Sequence, residues 1–234
     1  MGIKERHERD REAVSRSILD AARELFVSEG YQNVSMRKIA ERIEYSPAAI
    51  YGYFPCKDDI FFALAEEGFR LLGAPDDDST DDALRALEPL DRLREIFWHV
   101  YEFGLKHPQY FSLMFIDRDV PRISREYERF AFVRAMKANL VARIQSCIDA
   151  NALPSTVDAS AACRMLTMGV LGVSAMRLSD RLGPPAQVDV LARDVLNALL
   201  AGLQSGVLLQ ATDAPCTSEE QQPQATVSSS GVVS

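Results

Sequence analysis

The chain has 234 residues, 47% of them hydrophobic, enough to bury a substantial core as one large domain or as a small domain joined to a larger one. A highly charged amino-terminus and the lack of any run of about 18 uncharged apolar residues argue against a signal peptide and a membrane span, so a cytoplasmic protein is expected. Four scattered cysteines (Cys56, Cys147, Cys163, Cys216) form no CxxC pair and lie near no histidine, which excludes a zinc framework and a disulfide scaffold. The net charge of -8 is unevenly spread, at +1 over residues 1–57 and -9 over the remainder. Such a chain binds DNA only where the few cations of its first quarter converge on one face.

The pattern reads as helix nearly throughout, with no period-2 alternation and no internal repeat. Residues 9–28 place Val14, Ile18, Ala22, Leu25 and Phe26 at helical spacing, and Gly30 ends the run. SMRKIAERI forms a second, short helix, with Met36, Ile39, Ala40 and Ile43 on one side and Ser35 placed to cap it. A third starts at Ser46-Pro47, a cap followed by proline at the first helical position, and runs to about Tyr53. The fourth is expected over Lys57–Leu72, with Asp58 and Asp59 at its positive end.

GAPDDDSTDD (73–82) breaks the periodicity and marks the boundary between two modules. Beyond it the spacing predicts a helix over 89–106, a short one after Pro108, a long one from about Ser124 to Ala150, and two more over 158–181 and 186–210. The tail, 211–234, turns to Ser, Gln, Thr, Val and Pro and is expected to be disordered. The predicted architecture is all-α, with about nine helices. A flexible arm spans 1–11, a three-helix DNA-binding domain lies within 12–72 (its helix-turn-helix at about 35–54), and a larger helical bundle covers 83–210.

Residues 35–54, SMRKIAERIEYSPAAIYGYF, carry the most information. Two short helices separated by about three residues must pack Ile39, Ala40, Ile43, Ile50 and Phe54 together and against the first helix, which turns the second short helix outward as a major groove requires. On pattern alone a structural helical hairpin stays open beside a DNA reader.

Residues 18–64, with their LF…GY approach, the Ile39-Ala40 pair, the Ser-Pro start and the IYGYFPCK signature, resemble the amino-terminal domain of the TetR family. The resemblance implies a homodimeric, all-helical transcriptional regulator, usually a repressor, whose larger domain binds a small effector. LREIFWHVYEFGLKHPQYFSLMF is similar to the WHG-type effector domain, although around Gly169–Gly172 the chain reads GVLGVSAM and lacks the Trp-His-Gly motif itself.

The resemblance assigns Ser35 and Arg37 to a phosphate or a base edge, and Tyr51, Tyr53 and Lys57 to phosphates; core roles for the two tyrosines stay open. Lys38 departs from the family's frequent acidic residue. A cation there opposes the helix dipole by about 0.3–1 kcal/mol unless a phosphate lies close, with a plain solvated lysine equally open. Ser46, Ala48 and Ala49 begin the reading helix, the alanines suiting thymine methyls. Gly52, costly inside a helix, suits close approach to the DNA backbone. Cys56 stands where the family has a capping serine and is read as a weak cap rather than a redox switch. Upstream, KERHERDRE could enter a minor groove, but its interleaved acids favour a solvated, fraying helix start.

In the larger module most aromatic and Met side chains read as ordinary core. Trp98, Tyr101, Phe111, Met114, Phe130, Met136, Met165 and Met168 are the candidates to line an apolar effector cavity. His99 and His107 have no partners at metal spacing. Small residues among the apolar ones of the last two helices suit close helix packing, and in the resembled family these helices pair with those of a second copy; Gly169, Gly172, Leu199, Gly202 and Leu203 are the interface candidates. A single helix-turn-helix also needs a twin to read two half-sites. The expected partners are therefore a palindromic double-stranded DNA operator, a small-molecule effector and a second copy, with no membrane, no metal and no cofactor. No nucleophile elbow, phosphate loop or metal cluster supports an enzyme. A dimeric small-molecule binder without DNA binding, or an activator, remains the alternative.

Overall fold

The structure, a computed structural model, describes residues 3–73, 84, 86–123 and 128–206. These contain nine α-helices: α1 (Ile3–Glu29), α2 (Met36–Arg42), α3 (Pro47–Tyr51), α4 (Lys57–Gly73), α5 (Pro89–Lys106), α6 (Pro108–Phe111), α7 (Ala131–Asp149), α8 (Ala159–Leu178) and α9 (Pro185–Gln204). There is no strand among the described residues. The described part is therefore all-α.

Helix starts follow the local chemistry. Proline opens α3, α5, α6 and α9, where its missing N–H costs nothing and its fixed φ is already helical. Asp158 caps α8 by accepting from Ala161 N at 2.6 Å. Gly30 (φ +83°) closes α1 and is followed by a 3-10 turn, Tyr31–Asn33. α6 runs into a π turn, Ser112–Ile116, whose wide ring closes with Asp117 N donating to Ser112 O at 2.9 Å.

Several boundaries differ from expectation. α1 begins at Ile3, so from there on the arm expected over 1–11 is helix. α3 ends at Tyr51, two residues early, because Tyr53 N and Phe54 N both fold back onto Ile50 O and close the chain into a turn. α7 begins only at Ala131, after a turn at 128–130; the expected stretch 124–127 lies outside the described residues. So do most of the predicted module boundary (74–82) and the whole tail 211–234.

Two apolar clusters hold the chain together. The first joins Ile18, Phe26, Ile39, Ile50 and Phe61 of α1–α4 to Phe103, Phe111 and Phe130 of the larger module. The second packs Leu93, Phe97, Ile144, Leu166, Leu196 and Leu203 between α5, α7, α8 and α9. Each such side chain contributes about 1.5–3 kcal/mol on burial. The core of the first module thus does not stop at the sequence boundary. An aromatic ladder crosses it, Phe26–Tyr31–Phe61–Phe62–Phe130–Phe69–Phe115–Phe111, with ring centroids 5.0 to 6.1 Å apart. α8 is long and apolar enough by composition to cross a membrane; here it packs between α5, α7 and α9.

Candidate nucleic-acid interface

Both short helices carry the caps that their sequences suggest. Ser35 Oγ accepts from Lys38 N, and Ser46 Oγ accepts from Ala49 N, each at 3.2 Å. Ile50 is fully buried against the α1–α2 core with Ile39 and Ala40. Anchoring α3 by Ile50 turns the opposite side outward: Ser46 and Ala48 are exposed, Ala49 is half-buried, and Tyr51 keeps 53% of its surface. The turn between the helices places Glu44 in the left-handed region at φ 60°.

The cations of α2 sit in ion pairs. Arg37 is exposed and its Nε donates to Glu41 at 2.7 Å, the carboxylate raising the guanidinium pKa further. An exposed pair of this kind is weak and screened by salt, so a phosphate can take Glu41's place. Arg42 pairs with Glu24 at 3.0 Å. Lys38, read from sequence as solvated or phosphate-bound, instead reaches back to Glu29 at the end of α1, which offsets its unfavourable place at the α2 amino-terminus.

Lys57 is turned inward. Its Nζ donates to Tyr31 O at 2.8 Å and lies 4.0 Å from the Tyr31 ring centroid, and burial lowers its pKa despite neighbouring Asp58. Its position thus secures the 3-10 turn ahead of α2. Gly52 is the C-cap of α3 at φ -73°, so neither a helix-interior penalty nor unusual backbone explains it. A Cβ there would press on Ala49 O at 3.3 Å. Cys56 donates to Asp59 Oδ2 at 3.2 Å, and burial pushes its thiol pKa up, as suits a cap and not a reactive thiolate.

Arg11, read from sequence only as part of a solvated, fraying helix start, has contacts that the sequence reading missed. Its Nη2 donates to Gly52 O at 3.3 Å and its guanidinium stands 5.5 Å from the half-buried Tyr53 ring, tying α1 to the end of α3. The signal was the register: 11, 14, 18, 22 and 25 form one helical stripe with the core residues of α1.

Comparison with known proteins decides what this head belongs to. Residues 18–64 match the family described as "Bacterial regulatory proteins, tetR family", and residues 93–199 match a "Tetracyclin repressor-like, C-terminal domain". The chain belongs to the TetR family. The HTH-type transcriptional repressor Rv1474c of Mycobacterium tuberculosis is 41% identical over 59 residues, which are 25% of this chain and 32% of that protein. The chain thus aligns with about a third of the length of that curated relative. Among solved structures, PfmR of Thermus thermophilus superposes with a TM-score of 0.63 at 21% identity, covering 80% of this chain and 98% of that one. FadR of Bacillus subtilis, solved in complex with stearoyl-CoA, gives 0.62 at 16% identity, covering 82% and 98%. At these identities the superpositions speak for the fold alone.

On this TetR-family fold the eight candidate effector residues do not form one cavity. Phe111, Met114 and Phe130 belong to the first cluster, Trp98, Tyr101 and Met165 to the second, and Met136 packs beside Gly73. Met168 is 72% exposed and faces away from both. An open groove of about 630 Å³ lies where α1, α6 and α8 meet, and none of the eight lines it.

The five interface candidates also divide. Leu203 is fully buried in the second cluster, so it has no surface left for a second chain. Gly169 admits Leu199 of the same chain, and a Cβ there would collide with it. Gly172 and Gly202 have nothing within 4 Å of where a Cβ would stand. The same two helices expose Met168 and Met176 (α8) and Val190 and Leu191 (α9), which the sequence reading did not single out for this role.

Proposed function

We propose that the protein is a sequence-specific, DNA-binding transcriptional repressor that works in the cytoplasm as a homodimer on a palindromic operator and is released by a small, largely apolar effector. The observation that carries this reading is the built head: α3 is capped by Ser46, anchored by buried Ile50 and left with a small, exposed outer face ending in Tyr51. With Ala48 and Ala49 at the groove, recognition rests on thymine methyls and DNA shape more than on bidentate base contacts. Ser35, Arg37, Lys38, Tyr51, Tyr53 and Lys57 would supply phosphate contacts around it, with Gly52 letting the backbone come close.

The exposed apolar face of α8 and α9 supports the dimer, since a patch of this kind on adjacent helices marks a protein partner. FadR was solved with stearoyl-CoA, and we extend the apolar chemistry of its acyl chain, though not of its polar CoA part, to the effector here. Effector binding would act through α4, which shares its core with both modules, by changing the separation of the two heads. The test recovers genomic fragments bound by the protein and measures their affinity for an Arg37→Ala, Tyr51→Ala variant across salt concentrations. Weaker binding is expected, with the salt slope shallower by about one unit for the lost Arg37 cation and unaffected by the uncharged Tyr51. Unchanged affinity and slope would sink the assignment.

A further inference from the structure

We propose that the groove at the junction of α1, α6 and α8 is a binding site for a small amphipathic anion, an apolar body with one acidic end. Large apolar side chains from three separate elements converge on it while remaining exposed: Val27 of α1 (41%), Ile116 of the π turn (41%) and Met176 of α8 (45%). One exposed apolar residue is ordinary, but three gathered from distant segments around a single concavity mark a binding surface. The volume, about 630 Å³, is that of a small-molecule cleft.

The chemistry of the occupant follows from what lines the groove. Arg181 is the sole charged residue among the lining ones; it is exposed, and no described residue offers its guanidinium a hydrogen bond or ion pair. Asp180, at φ 54°, turns the chain immediately before it. A cation without a partner at the rim of an apolar concavity complements an anion whose remainder is apolar. Ser112, from a π turn of the kind that recurs at functional sites, adds a hydroxyl to the wall.

The groove is also wired to the reading head. Val27 belongs to α1 itself. Gln109 on the wall accepts from Arg23 Nε of α1 at 3.0 Å, while Arg23 Nη1 donates to Tyr110 OH at 2.7 Å. An occupant therefore bears on α1 and α6 together, where the two modules meet. The site stands on geometry alone; only its effect on DNA rests on the repressor reading above.

The experiment titrates the full chain with decanoate by calorimetry, with 1-decanol as the uncharged counterpart. Saturable binding of one decanoate per chain is expected, with decanol weaker by at least about tenfold. Arg181→Gln should erase that difference. Ala175→Phe, which fills the groove, should weaken both ligands. Because Arg181 is exposed, its substitution tests the site even where the filling variant fails to fold. Failure of decanoate to saturate, or equal binding by the wild type and Arg181→Gln, overturns the proposal. Met176 also lies on the outer face of α8, so a second copy is the competing occupant. If either substitution dissociates a dimer in sedimentation while decanoate leaves the wild type unbound, the groove belongs to that copy and the proposal is overturned. Decanoate that binds as expected, yet leaves operator affinity unchanged, supports the site and refutes the release mechanism.

Discussion

Glu44 and Lys57 show how much single positions in this head are asked to do. Glu44 holds φ 60° in the turn between α2 and α3, a conformation that costs a residue with a Cβ about 1–2 kcal/mol. Glu44→Gly should relieve most of that, less what glycine loses in chain entropy, for a net gain of about 0.5–1 kcal/mol and a higher melting temperature. A melting temperature that falls would show that the Glu44 side chain contributes more than its backbone costs. Lys57 is the opposite case, since we propose it for a phosphate contact while its Nζ is engaged by Tyr31 O. If the lysine serves both the 3-10 turn and DNA, Lys57→Gln destabilises the free protein by about 1 kcal/mol as well as weakening operator binding. A pure phosphate contact would leave the thermal melt of the free protein where it was.

Helices are legible or illegible for identifiable reasons. Prolines at the starts of α3, α5 and α6, and serines before α2 and α3, act on their own neighbours, so those starts could be read from residue order. What could not be read was which partner each apolar stripe meets. Periodicity says that Leu203 and Met168 lie on apolar helices; only the packed structure shows Leu203 buried in its own chain and Met168 turned out. The aromatic candidates were divided between two cores for the same reason. Glycines on α8 make the point testable. Gly169 seats Leu199, so Gly169→Val should overpack the α8–α9 contact and cost about 1–3 kcal/mol. Gly172 has open space around it, so within one chain Gly172→Ala should stabilise the helix by up to about 1 kcal/mol. If a second copy approaches there, the same change weakens the dimer, seen as a lower melting temperature at low protein concentration and faster dissociation in sedimentation.

Across the whole molecule, burial of weak acids sets an alkaline limit to stability. Tyr31 in the head, Tyr110 at the junction and Tyr101 in the body all have phenol pKa values raised above 10, burial being the largest cause and carboxylate partners the next. Tyr101, which donates to Asp189 Oδ1 at 2.6 Å, is pushed up to about 12. Cys147 and Cys163 are likewise raised above 9 by burial. In each case the unfolded form gives up its proton first. The stabilisation is complete below the unfolded value and is lost as pH climbs toward the folded one. Lys57, lowered by burial, works the other way, but as a single group against these five and Cys56, whose thiol is also raised. Stability should therefore hold up to about pH 9, decline above it, and fall more steeply beyond pH 10, where the tyrosines join the cysteines. Tyr101→Phe removes one of these titrations along with the Asp189 bond. Urea melts between about pH 8 and pH 11 should show the variant weaker than the wild type at the lower end, with a shallower alkaline decline. Parallel curves for the two proteins would mean that Tyr101 titrates alike in the folded and unfolded chains, and would refute its part in the alkaline decline.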